Sequence, residues 1–562
     1  MDSTEIQGQV DLLPGAQDPI AGADSAARTA RLARGRRALS DAERQQRQEA
    51  QACSVVNQDE AGAGCTQVLH FAVFFDGTGN SRDAEMKKSP DQRALSNIAR
   101  LQFSHADEKS NIRKAYIPGV GTSFPDVGDN GGMLGLAIGK GGRDRIKYTL
   151  DELDKLIDKQ SVKKILLINV SIFGFSRGAA QARAFARDLA ARCKAASDGT
   201  WHYRDIPLRI IFSGIFDTVC SVWSNLAAAT FNAHDGHSDW AHDMRLPPMV
   251  EQSVHMTAAH ELRKQFPLDS TRDGGRYPAN TVEIWYPGVH SDVGGGYDPN
   301  HQGRKNSIAR FALNEMYDMA AAAGVLLQPI DALDPEVKDE FDKTDDNLQA
   351  AYNGYLQSVR RKQGRLELVQ AAHMELLHRW LKVRVEKGDD LQSIQNLRSR
   401  EAALEAELKT LYSKRRGLKD PYQSHTYGSA TTEEVEEWNA VDGAIRSRRN
   451  ALSEVSTQRK GLQRETSALK RKMAALRQKQ VRGGRLAMYE QVMLDAWNNP
   501  EPLPETVAQF FDGYGHDSIS HWFSGNLAKW RTIYFGDIKY KPDGGDDMLE
   551  EDVNQQVAAI AV

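Results

Sequence analysis

An α/β fold, with a mostly parallel sheet flanked by helices and a large helical C-terminal part, is predicted from three observations. Short, continuously apolar runs end in Gly-rich or polar turns, and helix-capable stretches separate them. Beyond about residue 330 these runs give way to helical and heptad spacing.

Residues 1–66 are rich in Ala, Gly, Gln, Arg and Asp and lack aromatic or β-branched clusters, so a mobile arm is expected, with a helix over DAERQQRQEAQA only if a partner orders it. The run VLHFAVFFDGTGN then reads as a buried strand closing on a turn. KKILLINVSIFGFSRGAAQARAFARDL reads as strand, turn and helix, and LRIIFSGIFDTV and TVEIWYPGV as two more strands. Together they define a unit over 67–330. From 331 to 490 the chain reads as helical. A segment from Asn347 to Val385 carries Leu356, Leu366, Val369, Leu376 and Leu377 at near-helical spacing. Leu397, Leu404, Leu411 and Leu418 recur every seven residues, as do Val455, Leu462, Leu469 and Leu476, with breakers between the series, which predicts a coiled-coil hairpin. The aromatic tail 491–562 is expected to pack back on the core.

Lys and Arg number 72 against 76 Asp and Glu, a net charge of -4, so no global field draws the chain to nucleic acid or to an anionic bilayer. No apolar run approaches the roughly 18 residues of a spanning helix, and the N-terminus lacks a Sec-type signal pattern. The four cysteines, Cys53, Cys65, Cys193 and Cys220, show no CxxC spacing, and free thiols are expected.

The strongest local signal is GFSRG at Gly174–Gly178, a G-x-S-x-G between an apolar strand and a helix. Gly174 and Gly178 relieve side-chain clashes at such a turn, Ser176 stands clear as nucleophile, and Arg177 offers its backbone N–H to an oxyanion. The base and acid are sought C-terminally, in the order Ser, acid, His. Asp217 follows the third strand run and His290 the fourth, in a Gly-rich loop. Asp292, two residues from His290, is the rival acid, with a loop-backbone role favoured for it. The turn FFDGTGN supplies Gly77 or Thr78 as the second oxyanion donor, and the role of Asp76, shaping that loop or reacting, is open in the sequence.

His234, His237, His242, His255 and His260 lie between Asp217 and His290, but no HExxH pair or paired cysteines accompany them, so no metal is expected. GGMLGLAIGKGG fails the phosphate-loop pattern, since Leu134 and Gly141 stand where Gly and Ser or Thr are required. A serine triad needs no cofactor.

Five segments, FFDGTGN (74–80), YIPGVGT (116–122), GFSRGAA (174–180), FDTV (216–219) and GVHSDVGGGY (288–297), together resemble the type VI secretion lipase effectors of the first class, an α/β-hydrolase branch. HDS at 516–518 is similar to a motif near that family's end. The resemblance implies an α/β-hydrolase-like unit, with nucleophile, acid and base on Ser176, Asp217 and His290. It implies phospholipase A activity of an antibacterial toxin, made in a bacterial cytoplasm, secreted by the type VI system and acting on membrane phospholipid in a target cell's periplasm. A spike or adaptor protein and a cognate immunity protein are the implied partners. The alternatives are a soluble-substrate serine esterase and a non-catalytic interaction scaffold.

Overall fold

The computed structural model describes residues 25–59, 66–132, 141–160, 164–222, 237, 239–274, 276–422, 431–518, 530–536 and 538–540. Eleven strands occur among them: β1 (Thr66–Phe75), β2 (Ile112–Ile117), β3 (Lys164–Phe175), β4 (Lys194–Ala195), β5 (Trp201–Tyr203), β6 (Ile206–Phe216), β7 (Ser253–Ala258), β8 (Leu268–Asp269), β9 (Thr281–Tyr286), β10 (Ile533–Phe535) and β11 (Ile538–Tyr540). The main sheet runs β2-β1-β3-β6-β7-β9, every neighbouring pair parallel, while β4 and β5 add a short antiparallel extension at the start of β6.

Both faces of this sheet are covered, which is why its strands read as continuous apolar runs. Along β1, Phe71, Val73 and Phe75 enter one core with the helices Gly142–Asp158 and Arg177–Arg192. The alternate residues Ala72 and Phe74 enter another with the helices Asn97–Ser104 and Ala309–Ala323. Two parallel strands escape hydropathy reading. Among the described residues β2 pairs with β1 alone and has half-buried positions, and β7 buries His255 and Thr257 in a polar network, His255 Nδ1 lying 2.7 Å from Glu283 Oε1.

The expected mobile arm needs correction over its described part. Arg36 Nε donates to Gln252 Oε1 at 3.0 Å, Arg34 pairs with Glu315 at 2.9 Å, and Ala50 packs on Val68 and Leu167. Gly35, at φ +68°, lies so close to β7 and β9 that a Cβ there would come within 2.7 Å of the Val282 nitrogen. Arginines, backbone groups and one glycine make this contact, so no apolar periodicity announces it. It lies at the amino ends of β7 and β9, opposite the site described below.

The helical part shares its core with the sheet. One apolar cluster runs from Phe74 and Met316 through Tyr355 and Trp380 to Leu476 and Phe511. The segment read as helical from 347 to 385 is broken in two, Asp346–Ser358 and Leu366–Lys387. The helices Gln392–Gly417 and Thr432–Val481 lie antiparallel, tied by Arg459–Glu401 at 2.8 Å, Arg448–Glu407 at 2.5 Å and Arg415–Asp442 at 2.9 Å. Val455, Leu462, Leu469 and Leu476 face the common core, whereas Leu408, Val441 and Ile445 form a small cluster of their own farther out. No helix among the described residues is long and apolar enough to cross a membrane. Strands also return late in the chain, against the expectation that they stop near 330. Three-residue β10 pairs parallel with β8 and antiparallel with β11, too short for alternation to register in the sequence.

Candidate active site

At the carboxyl end of β3 the chain turns sharply into the helix Arg177–Arg192. Ser176 takes φ 59° and ψ -128°, a conformation costing a non-glycine residue about 1–3 kcal/mol. Both flanking glycines are required by space. A Cβ on Gly178 would lie 2.3 Å from the Asp76 carbonyl oxygen and 2.4 Å from that of Phe75, and one on Gly174 would lie 2.6 Å from Ala179 Cα. The helix start thus presses directly on the end of β1.

Register brings the next residue in. Phe175 aligns with Phe216 across β3 and β6, so Ser176 and Asp217 follow adjacent strand ends, and the Ser176 N–H donates to the Phe216 carbonyl at 3.0 Å. Asp217 also has positive φ, 39°. His290, at the start of the short helix Val289 caps, places Nδ1 2.6 Å from Asp217 Oδ2. Its ring packs between Phe175, 4.6 Å away by centroid, and Phe266 at 4.9 Å. Its backbone N–H donates to Glu261 Oε2 at 3.3 Å. Ser176, Asp217 and His290 are all buried. No hydrogen bond joins Ser176 Oγ to His290 in this structure, which fits the longer catalytic contacts of substrate-free sites.

The electrostatics favour a neutral base beside a charged acid. Burial alone would raise the Asp217 carboxyl, but the charge and hydrogen bonds of Arg531, with those of His290, hold it well below the ordinary carboxylate range. Burial pushes the His290 imidazole down by more than Asp217 raises it, so the ring is neutral at pH 7 and able to accept a proton.

Of the two expected donors in the FFDGTGN turn, Gly77 is corrected. Its N–H donates to Asp76 Oδ1 at 2.7 Å, because a buried carboxylate one residue back captures it. Asp76 also accepts from Tyr116 Oη at 2.5 Å and so organises the loop, and burial pushes its carboxyl up. Thr78 is bound from the other side, since Arg177 Nε donates to its Oγ1 at 2.7 Å, tying the turn to the elbow.

Asp292 does not join His290. Its Oδ2 accepts from the Val289 N–H at 2.9 Å, and its Oδ1 lies 2.6 Å from Nδ1 of His516. Of the intervening histidines, His255 serves Glu283, His260 Nε2 meets Tyr355 Oη at 2.9 Å, and His242 Nδ1 bonds the Asp239 carbonyl, while His234 lies outside the described residues. His237 pairs with Asp269, and with Cys220 these offer ligand atoms within 4.8 Å of one another, the set among the described residues able to hold a cation. Cys193 and Cys220 are free thiols, and Cys53 and Cys65 fall outside the described side chains.

Arg531 escaped the sequence reading altogether. It donates from Nη1 and Nη2 to the two oxygens of Asp217 at 2.9 and 2.5 Å, across 314 positions of sequence. A single arginine in KWRTIYF carries no local signal of such a partner.

Residues 70–193 and 187–319 match the family model described as T6SS, Phospholipase effector Tle1-like, catalytic domain. The matched segment carries Ser176, Asp217 and His290, and so the site lies in a region similar to the catalytic domain of type VI phospholipase effectors. Arg531 lies beyond it. No curated protein compared with the chain matches it. Among solved structures, an uncharacterized protein from Pseudomonas aeruginosa is similar with a TM-score of 0.62 at 23% identity, over 91% of this chain and 84% of that one. Its likeness in fold therefore extends through the helical part. The structure of the Tle1 effector bound to the VgrG spike from the type 6 secretion system aligns with a TM-score of 0.37 at 20% identity, over 54% of this chain and 82% of that one.

Proposed function

We propose that this protein is a serine hydrolase of the α/β-hydrolase type that cleaves acyl ester bonds of membrane phospholipids as a type VI secretion effector. The observation that carries the reading is the strained serine at a strand-to-helix elbow, adjacent across the β3–β6 register to a buried aspartate that holds a neutral histidine. The similarity of the same segment to the catalytic domain of a phospholipase effector family supports the substrate class.

In the proposed cycle His290 takes the Ser176 proton as Oγ attacks the ester carbonyl, and the N–H groups of Arg177 and Thr78 receive the oxyanion. Arg177 heads its helix, where first-turn amides have no intrahelical acceptor and the dipole favours negative charge. His290 then returns the proton to the departing lysophospholipid, and water repeats the attack to free the fatty acid. Asp217 holds the imidazole tautomer and stabilises its charged form. Delivery to a target periplasm, a spike or adaptor as carrier, and an immunity protein as antagonist complete the proposal.

Fatty-acid release from phospholipid vesicles by wild type and Ser176→Ala tests it. The expected loss is about 10⁴-fold or more, as when a triad nucleophile is removed. Equal release by both proteins overturns the nucleophile. Release by neither, with hydrolysis of a water-soluble ester retained, moves the substrate to the soluble class.

A further inference from the structure

Asp217 accepts four hydrogen bonds. Oδ1 takes the Ala258 N–H at 2.8 Å and Arg531 Nη2 at 2.5 Å, and Oδ2 takes His290 Nδ1 at 2.6 Å and Arg531 Nη1 at 2.9 Å. These fill a carboxylate's acceptor capacity, so the group cannot rotate. Half of them come from one guanidinium that is fully buried, anchored by Nη2 to the Ala258 carbonyl at 3.0 Å and lying 5.9 Å from the Trp285 ring centroid.

Arg531 is put there by pairing of short strands. The Leu268 N–H donates to Thr532 O at 2.9 Å and the Ser270 N–H to Tyr534 O at 2.8 Å. Ile533 and Phe535 sink into a cluster with Leu268, Trp285 and Leu366. The C-terminal segment is thereby fastened beside the catalytic acid, outside the part of the chain that matches the catalytic-domain family.

We propose that Arg531 is a positioning residue for the reaction at Ser176: delivered by the C-terminal segment, it locks both oxygens of Asp217 and extends the working range of the Asp217–His290 pair toward acid pH. The proposal rests on the serine-hydrolase reading above. A buried carboxylate deprived of its counter-charge is costly and tends to protonate, and Arg531 is the chief counter-charge of Asp217. Protonation of Asp217 removes the partner that orients His290 and so moves the acid limb of activity upward. The other charged groups facing the pair are Glu261 and Arg263, which bond each other at 2.8 Å, with Arg263 stacked 3.6 Å from the Phe266 ring centroid. Behind Thr218, whose N–H donates to His255 Nε2 at 3.0 Å, stand His255 and Glu283. Glu261 is already satisfied by Arg263, and Glu283 by His255, so neither pair replaces Arg531 at Asp217.

The test compares full-length wild type, Arg531→Gln and Arg531→Lys in two readouts, fluorophosphonate labelling of Ser176 and hydrolysis of a short-chain p-nitrophenyl ester, each across the acid and neutral range. Arg531→Gln is expected to lower kcat about 100-fold with KM little changed, the size of effect a mispositioned catalytic group produces. Its acid limb is expected to rise by about one pH unit or more. Arg531→Lys, which keeps the charge and loses the fork, is expected to fall about tenfold in kcat with the limb close to that of wild type. Full activity in Arg531→Gln, or an equal loss in both variants with an unmoved limb, overturns the assignment. If the glutamine variant does not fold, the lysine variant decides, since wild-type kcat there refutes a positioning role and a kcat loss at constant KM supports it. Wild type that resists labelling and hydrolyses no ester sinks the serine-hydrolase reading itself, whereas labelled wild type with indistinguishable variants sinks only the role of Arg531.

Discussion

Two buried histidine–aspartate pairs flank the turn after β9, alike in distance and burial and different in their surroundings. His290 meets Asp217 at 2.6 Å and sits against Phe175, the residue before a strained serine. His516 meets Asp292 at the same 2.6 Å, yet it stacks on Tyr297 at 4.2 Å, and its Nε2 is buried with no hydrogen-bond partner among the described residues. In the proposed cycle the first pair has the Ser176 proton to move, whereas Nε2 of the second meets no partner among the described residues. Asp292 also receives the His516 backbone N–H at 2.9 Å, so this pair latches the C-terminal helical region to the loop after β9. A histidine–aspartate contact by itself therefore identifies no active site, and the proposed one rests on the strained Ser176 beside the first pair.

Substitution can break this contrast or sharpen it. His290→Ala is expected to cost about 10³–10⁴-fold or more in kcat, read by ester hydrolysis on protein shown to be folded. A comparable kcat loss in His516→Ala would mean the two pairs have been assigned the wrong way round. Gly178→Ala drives a Cβ to 2.3 Å from the Asp76 carbonyl oxygen. It should destabilise the fold by about 1–3 kcal/mol and lower kcat about 100-fold by displacing Ser176.

The wild-type pH profile tests the proposed base as it stands beside Asp217. Activity needs neutral His290, whose affinity for protons burial depresses, so activity is expected to persist below the ordinary histidine value of about 6.5 and to fall only as pH drops through the depressed one. A midpoint above that value contradicts the buried, neutral base.

His516→Ala itself should reduce stability by about 1.5–3 kcal/mol, the worth of a buried hydrogen bond to a charged group, and leave the kcat for a soluble ester nearly unchanged. The smallest effect on chemistry is expected far from both pairs. Ile445→Ala, in the outer cluster with Leu408 and Val441, should loosen the end of the helix pair, seen as faster hydrogen exchange over that segment, with unchanged hydrolysis.

Sequence alone determined the elbow, the order of Ser176, Asp217 and His290, the covered sheet and the recurrent apolar positions of the long helices, because each is written in local spacing. Strand runs ending in Gly or polar turns carry their meaning within a dozen residues. What only tertiary structure decided are the contacts between distant, locally unremarkable residues. Gly77 and Thr78 were equal candidates until the Asp76 side chain took the Gly77 N–H. The N-terminal helices Ser25–Leu32 and Asp41–Asp59 carry no apolar stripe in the sequence, because arginines, backbone groups and Gly35, with Ala50 alone among the described residues on Val68 and Leu167, hold this segment to the sheet. Arg531 and His516 lie more than 200 positions from their aspartates. Hydrogen bonds and ion pairs of that reach have no periodicity, so nothing in the local sequence can mark them. They exist only once the backbone brings the partners within about 3 Å and excludes water from around them.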